Sequence, residues 1–115
     1  LKTLLLAGRV KATTDAVIGT EAVASLQHYH FSKGFFGTNG ITVEEGFTTP
    51  DIEEAMNKRV AMEHCRKCYV LADASKFEAL SNVSFAPLSK GVIITAAQEG
   101  LNVRSYKQHT EVIVL

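Results

Sequence analysis

Two segments of this 115-residue chain carry the residue types that hold anions and hydroxyl groups. The first runs from Gly34 to Pro50. Gly34-Phe35-Phe36 reads as an apolar strand and Gly37-Thr38-Asn39-Gly40 as a turn. Glu44-Glu45-Gly46 reads as a second turn, and Thr48-Thr49-Pro50 leads into a helix. Glycines after a strand let backbone N–H groups approach a ligand, and a helix N-terminus favours anions. The second segment is Leu71-Ala72-Asp73-Ala74-Ser75-Lys76-Phe77, where an apolar strand ends in Asp, Ser and Lys. Open α/β sheets bind ligands at the carboxyl ends of their strands, and an ammonium group there suits a phosphate. Each segment has a plainer explanation. The glycines could serve only to turn the chain, and most single lysines are simply solvated.

Other reactive residues point nowhere so definite. Cys65 and Cys68 form one C-x-x-C pair, half of a structural zinc site. His28, His30, His64 and His109 do not stand at metal-ligand spacing to it. The pair falls where a helix ends and a strand begins, the reverse of the placement that lowers a thiol pKa. Two reduced thiols without metal are expected. Glu44, Glu45 and Asp73 are the acids that keep an enzymatic reading open, but no residue is assigned a catalytic role.

These residues must be positioned by surrounding elements. Apolar runs at residues 3–7, 16–18, 34–36, 69–72, 92–95 and 111–115 are nearly continuous rather than alternating, as in strands of a parallel sheet. Helix candidates lie between them at 21–29, 50–65 and 101–107. The pattern predicts an α/β fold with a mostly parallel sheet flanked by helices. In the central helix Thr49 is the expected N-cap and Pro50 the first helical residue. Ile52, Ala55, Met56 and Val60 form the expected apolar stripe. Arg59 and Glu63 are placed for an ion pair, as are Glu54 and Lys58.

Length allows one core, so residues 1–115 are read as a single domain. The chain starts on Leu1, as a fragment would. Twelve basic residues balance twelve acidic ones. A domain that grips DNA alone usually has a basic excess, so this chain is expected to bind none by itself. Leu4-Leu5-Leu6-Ala7 is too short for a signal segment or a membrane span, and a cytoplasmic protein with no membrane association is expected.

The quoted segments, taken together, resemble the C-terminal sensor domain of DeoR-family transcriptional repressors. The match includes LLLAGRV at 4–10, VIG at 17–19, FFGTNGI at 35–41, GFTTP at 46–50, EEAMNKR at 53–59, VLADASKF at 70–77 and FAPLS at 85–89. Lactose and fructose phosphotransferase repressors are the members it most resembles. The resemblance implies a fold similar to ribose-5-phosphate isomerase and glucosamine-6-phosphate deaminase. It also implies a phosphorylated sugar as effector, no cofactor, a homo-oligomer, and DNA contact only through a helix-turn-helix domain that this chain lacks. An earlier segment of the sensor is missing as well, so residues 1–115 would be a partial sensor domain.

Carried onto this sequence, the resemblance places Asn39 and Gly40 against sugar hydroxyls or backbone oxygens. It places Thr48 on the same rim and Lys76 on the phosphate. Gly37, Thr38, Lys58 and Asp73 are further contacts, with Lys58 also explained by its pair with Glu54. Related enzymes use acids near the loop that corresponds to residues 37–41. Asn39 keeps the shape of a carboxylate without its basicity. A binding module is therefore expected, with an active isomerase or deaminase as the alternative.

Overall fold

The computed structural model describes residues 9–11, 16–18 and 28–115. In chain order these form β1 (Arg9–Lys11), β2 (Ala16–Ile18), β3 (Phe31–Gly37), β4 (Gly40–Thr42), β5 (Gly46–Thr49), α1 (Ile52–Glu63) and β6 (Cys65–Leu71). There follow β7 (Val83–Ala86), β8 (Val92–Thr95), α2 (Arg104–Lys107) and β9 (Val112–Val114), with 3-10 turns at Ala74–Lys76 and Leu88–Lys90. The strand expected at 3–7 and most of the helix expected at 21–29 lie outside the described residues.

The principal sheet has the order β3-β6-β8-β9, and every pairing is parallel. Each of its strands overlaps one of the apolar runs, as parallel pairing predicts, although β3 and β6 begin three and four residues before theirs. A second sheet, β4-β5-β7, is antiparallel. The β4–β5 hairpin turns at Val43–Glu45 and rejoins at Gly46, whose φ of +72° suits glycine. β1 and β2 pair antiparallel as a separate ribbon.

The core lies on one face of the parallel sheet. Cys68, Val70, Ile93 and Val112 from that face pack with Ala55 and Met62 of α1, Ile41 and Phe47 of the hairpin, Phe85 of β7, and Tyr106 of α2. The opposite face leaves Phe35 62% and Leu71 48% exposed.

Helix α1 forms where expected, with two differences. Its N-cap is Asp51 rather than Thr49; Asp51 Oδ1 accepts from the N–H groups of Glu53 (2.8 Å) and Glu54 (3.2 Å). Thr49 is instead a buried β5 residue, and Pro50 precedes the cap. The apolar stripe is also displaced. Ile52 and Met56 are 59% and 53% exposed, while Glu54, Ala55, Asn57, Ala61 and Met62 turn inward. Ala55 and Met62 of that face pack into the core, and Glu54 pairs with Lys58. Arg59 donates to the carbonyls of Ser84 (3.0 Å) and Phe85 (3.5 Å), so its guanidinium serves β7 rather than the expected helix pair. The third helix candidate shrinks to one turn at α2, which starts where Asn102 Oδ1 accepts from Arg104 N–H.

Candidate functional site

Parallel pairing carries the two sequence segments to one rim. β3 and β6 run in register to Gly37 opposite Leu71. The chain then leaves β3 as Thr38-Asn39 and leaves β6 as Ala72-Asp73 followed by the turn Ala74–Lys76. The expectation that Lys76 and the glycine turn share a rim depended on a parallel sheet, and the sheet is parallel.

The two loops are fastened to each other. Glu78 N–H donates to the Ile41 carbonyl at 2.8 Å, and Phe77 pairs with Ile41 across an isolated bridge. Tyr106 is buried beneath this junction. Its hydroxyl lies 2.6 Å from Glu78 Oε1 and 3.1 Å from the Ile41 carbonyl, and it accepts from Glu78 N–H at 3.2 Å. The Tyr106 ring meets Phe77 edge-on, with centroids 5.0 Å apart. Burial, then the bond to Glu78, raises the phenol above its ordinary range, so it remains a neutral donor. Glu78 itself takes a φ of +64°, in the left-handed region. Sequence reading missed Glu78 and Tyr106, because their partnership spans 28 residues and has no local signature.

The candidate residues divide into open and enclosed sets. Gly37 is exposed, and a side chain there would meet nothing within 4 Å. Asn39 is exposed; its Oδ1 accepts from Thr49 Oγ1 at 3.2 Å, which turns the carbonyl side of the amide toward the scaffold. Lys76 is half-buried in its turn. Asp73 caps that turn, its Oδ1 accepting from Ser75 N–H at 2.9 Å and from the Ser75 hydroxyl. Those two bonds hold the Asp73 carboxyl below its ordinary pKa, with Lys76 adding a smaller effect.

Thr38, Gly40 and Thr48 are enclosed. The Thr38 hydroxyl lies 2.8 Å from the Gly40 carbonyl and 3.1 Å from that of Thr48. A Cβ on Gly40 would collide with the Ala79 carbonyl and stand 2.7 Å from Thr48 Oγ1. Thr48 has no exposed surface, and its hydroxyl accepts from Ser81 N–H at 3.0 Å. Thr48 was expected to line the rim; in the fold it braces the loop behind the rim. Gly40 likewise permits close approach of the Ala79 backbone.

Lys58 has more contacts than its helical pair. Its Nζ lies 3.1 Å from Glu54 Oε1, donates to the Gly37 carbonyl at 2.9 Å and stands 5.1 Å from the centre of the Phe85 ring. It therefore ties α1 to the end of β3. Glu54 is only 5% exposed, and its Oε2 has no hydrogen-bond partner. The start of α1 is a poor anion site, because the Asp51 carboxylate already occupies its N–H groups. The expectation of anion binding at that helix end is corrected accordingly.

The remaining acids lie elsewhere. Glu44 and Glu45 form the tip of the β4–β5 hairpin, one strand length from Asn39. They line a cleft of about 320 Å³ with Arg59, Ser84 and Pro87. Cys65 and Cys68 are free thiols at the start of β6, directly after α1. Burial raises both pKa values, with Cys68 pushed up to about 11. Among the described residues, no group of three or more His, Cys, Asp and Glu side chains gathers as a metal site. No described helix is long and apolar enough to cross a membrane.

Residues 1–97 match the DeoR C terminal sensor domain family. Over 111 residues the chain is 43% identical to an uncharacterised HTH-type transcriptional regulator, FruR, of Bacillus subtilis strain 168; the match covers 96% of this chain and 44% of that protein. It is 36% identical over 86 residues to the HTH-type transcriptional regulator GlpR of Haloferax volcanii, covering 75% of this chain and 34% of that protein. It is also 32% identical over 110 residues to a lactose phosphotransferase system repressor of Streptococcus mutans serotype c, covering 95% of this chain and 43% of that protein. The chain thus spans less than half the length of these relatives.

Proposed function

The chain belongs to the DeoR C-terminal sensor domain family, and from that premise we propose that it is the effector-sensing part of a cytoplasmic repressor of sugar metabolism. The effector is a phosphorylated sugar held at the rim between Gly37–Asn39 and Asp73–Lys76. One observation supports this reading: parallel strands β3 and β6 end together, with open space at Gly37 and Lys76 in the turn that follows β6. Lys76 supplies the charge for the phosphate and Asn39 an amide for the sugar. Gly37 leaves room for the ligand, while Thr38, Gly40, Thr48 and Lys58 hold the loop in shape.

The domain binds without turnover. Asn39 cannot act as a general base, Asp73 is committed to capping Ser75, and Glu44 and Glu45 stand at the far end of the hairpin. Effector binding biases the conformation of a homo-oligomeric protein, and DNA-binding domains outside this chain respond. The test is a thermal-shift and calorimetric screen of the full-length protein against fructose, tagatose, ribose and glucosamine phosphates, because a ligand of the folded state raises Tm. Saturable binding without product formation supports the proposal. Isomerisation or ammonia release that disappears with Glu45→Gln or Asp73→Asn overturns it in favour of an enzyme.

A further inference from the structure

Cys65 and Cys68 lie in the first half of β6, away from the rim at its carboxyl end, and effector binding makes no use of them. Cys68 stands opposite Gly34 in register. Gly34 has no side chain, and the Cys65 sulfur takes up that space, 2.5 Å from the point a Gly34 Cβ would occupy. The two thiols meet there and hydrogen-bond to each other. The edge of the Phe36 ring lies 2.8 Å from the same point and borders the pair. Cys68 is only 7% exposed and donates to the Met62 carbonyl at 3.5 Å, whereas Cys65 is partly exposed. Thiols in contact can join as a disulfide or share a metal ion, and distance separates the two. Cys65 and Cys68 are three residues apart in a strand that rises about 3.3 Å per residue, so their Cα atoms are about 10 Å apart. A disulfide spans at most about 7 Å between Cα atoms. Oxidation would pull the start of β6 away from its partners Phe31 and Lys33. An ion between the sulfurs makes a longer bridge and leaves the strand paired.

The donor count then selects the ion. Zinc takes four donors in a tetrahedron, and among the described residues no third His, Cys, Asp or Glu joins the pair. The spacing that argues against zinc does not exclude an ion content with two donors, and soft thiolates select Cu(I). We propose that Cys65 and Cys68 bind one Cu(I) ion as a two-coordinate bis-thiolate. Each thiol releases its proton and each sulfur bonds the ion, so one monocation and two neutral thiols become a complex of charge −1 and two protons. Lys90 offsets that charge. Burial and then Cys65 raise the Cys68 pKa, whereas the Lys90 ammonium acts in the opposite direction, toward the thiolate. Cys65, the more open thiol, receives the ion, and the buried Cys68 completes the bond. The Phe36 ring and the surrounding core offer no further donor, which holds the coordination at two.

The experiment uses the reduced full-length protein under anaerobic conditions, with Cu(I) supplied from its bicinchoninate complex. Wild type should withdraw one Cu(I) per chain more than Cys65→Ala or Cys68→Ser, and His64→Gln should bind as wild type does. X-ray absorption of the equivalent that these variants lose should show two sulfur neighbours and no nitrogen. A measurement on wild type alone does not depend on how the variants fold. Iodoacetamide should alkylate Cys65 in the metal-free protein, and one equivalent of Cu(I) should slow that reaction at least about tenfold, since the bound thiolate is no longer a free nucleophile. Copper uptake equal in wild type and both cysteine variants overturns the proposal, as does Cys65 alkylation that copper leaves unchanged. A nitrogen or third sulfur neighbour, or loss of the ion in His64→Gln, would mean a different donor set and overturns it too. So would stoichiometric zinc that the cysteine variants lose, because a tetrahedral site would then be present.

Discussion

Lys76 and Asp73 stand three residues apart in one turn, where their charges could have satisfied each other. The bonds to Ser75 account for most of the depressed Asp73 pKa, and Lys76 contributes less. Lys76 is therefore available to another anion. In the full-length protein Lys76→Ala should weaken binding of the phosphorylated effector about ten- to a hundredfold, the value of a charge-assisted contact of roughly 1.5–3 kcal/mol. The unliganded protein should melt within a degree or two of wild type, because the bonds from Ser75 to Asp73 hold the turn without the Lys76 ammonium. Calorimetric titration and thermal melts on one variant decide this; unchanged affinity with a large loss of stability makes Lys76 a structural residue. Cys68 permits a second prediction. Its folded pKa of about 11 lies above the ordinary thiol value, so the neutral thiol is the form that the fold favours. That stability is fully present below the ordinary value near 9 and is lost as pH rises through about 11. Urea melts should show a decline over this window that is shallower in Cys68→Ala; equal slopes would refute it. The candidate residues could be found in the sequence by type and spacing, but their division could not. Asn39 and Thr48 look equally suited to a ligand there, and only folding shows one exposed and the other enclosed.

The rim depends on loops that fasten one another, chiefly through Tyr106 reaching from α2 to Glu78 and Ile41. Tyr106→Phe keeps the ring against Phe77 and removes the hydroxyl alone. It should cost about 1–2 kcal/mol in a urea melt, since buried groups lose their partner. It should also weaken effector binding through the loosened turn that holds Lys76; a full-affinity, full-stability variant would show that the loop needs no such tie. Gly40→Ala should cost about 1–3 kcal/mol, because the added methyl collides with the Ala79 backbone. A variant as stable as wild type would mean that the 79–81 segment yields freely. The elements were unequally legible. Each strand of the parallel sheet overlaps an apolar run that pattern alone finds, but β3 and β6 start earlier, through the polar Ser32-Lys33 and Arg66-Lys67. The second sheet was read as turns, because β4 and β5 are short and rich in Gly and Thr. Glu44-Glu45-Gly46, with glycine at a positive φ and β-formers on both sides, was the available hairpin signal. Helix α1 was recognised within residues 50–65, but its buried face was not. Glu54 and Asn57 are buried and Lys58 reaches the Gly37 carbonyl, features that hydrophobic periodicity does not record.

For the whole molecule, the balance of twelve basic and twelve acidic side chains predicts no grip on a phosphate backbone. Residues 1–115 alone should give no sequence-specific shift of duplex DNA at moderate salt, and a specific complex would put DNA recognition inside the sensor. Charge, length and α/β class were all legible in the sequence. Which face of the sheet stays open was not, because an apolar run is the same whichever side is covered. The order β3-β6-β8-β9 repeats the order in which the strands are synthesised. The sheet can therefore grow on the ribosome by adding each new strand to the last, with no need to insert one between two already paired. The weak moment comes late. Once β8 has joined β6, its outer backbone edge stays unsatisfied until Ala96 to Glu111 have been made and β9 arrives. During that interval the nascent chain carries an apolar edge strand of the kind that recruits other chains. Slow translation across this stretch should lower the yield of soluble protein more than the same delay placed between β3 and β6.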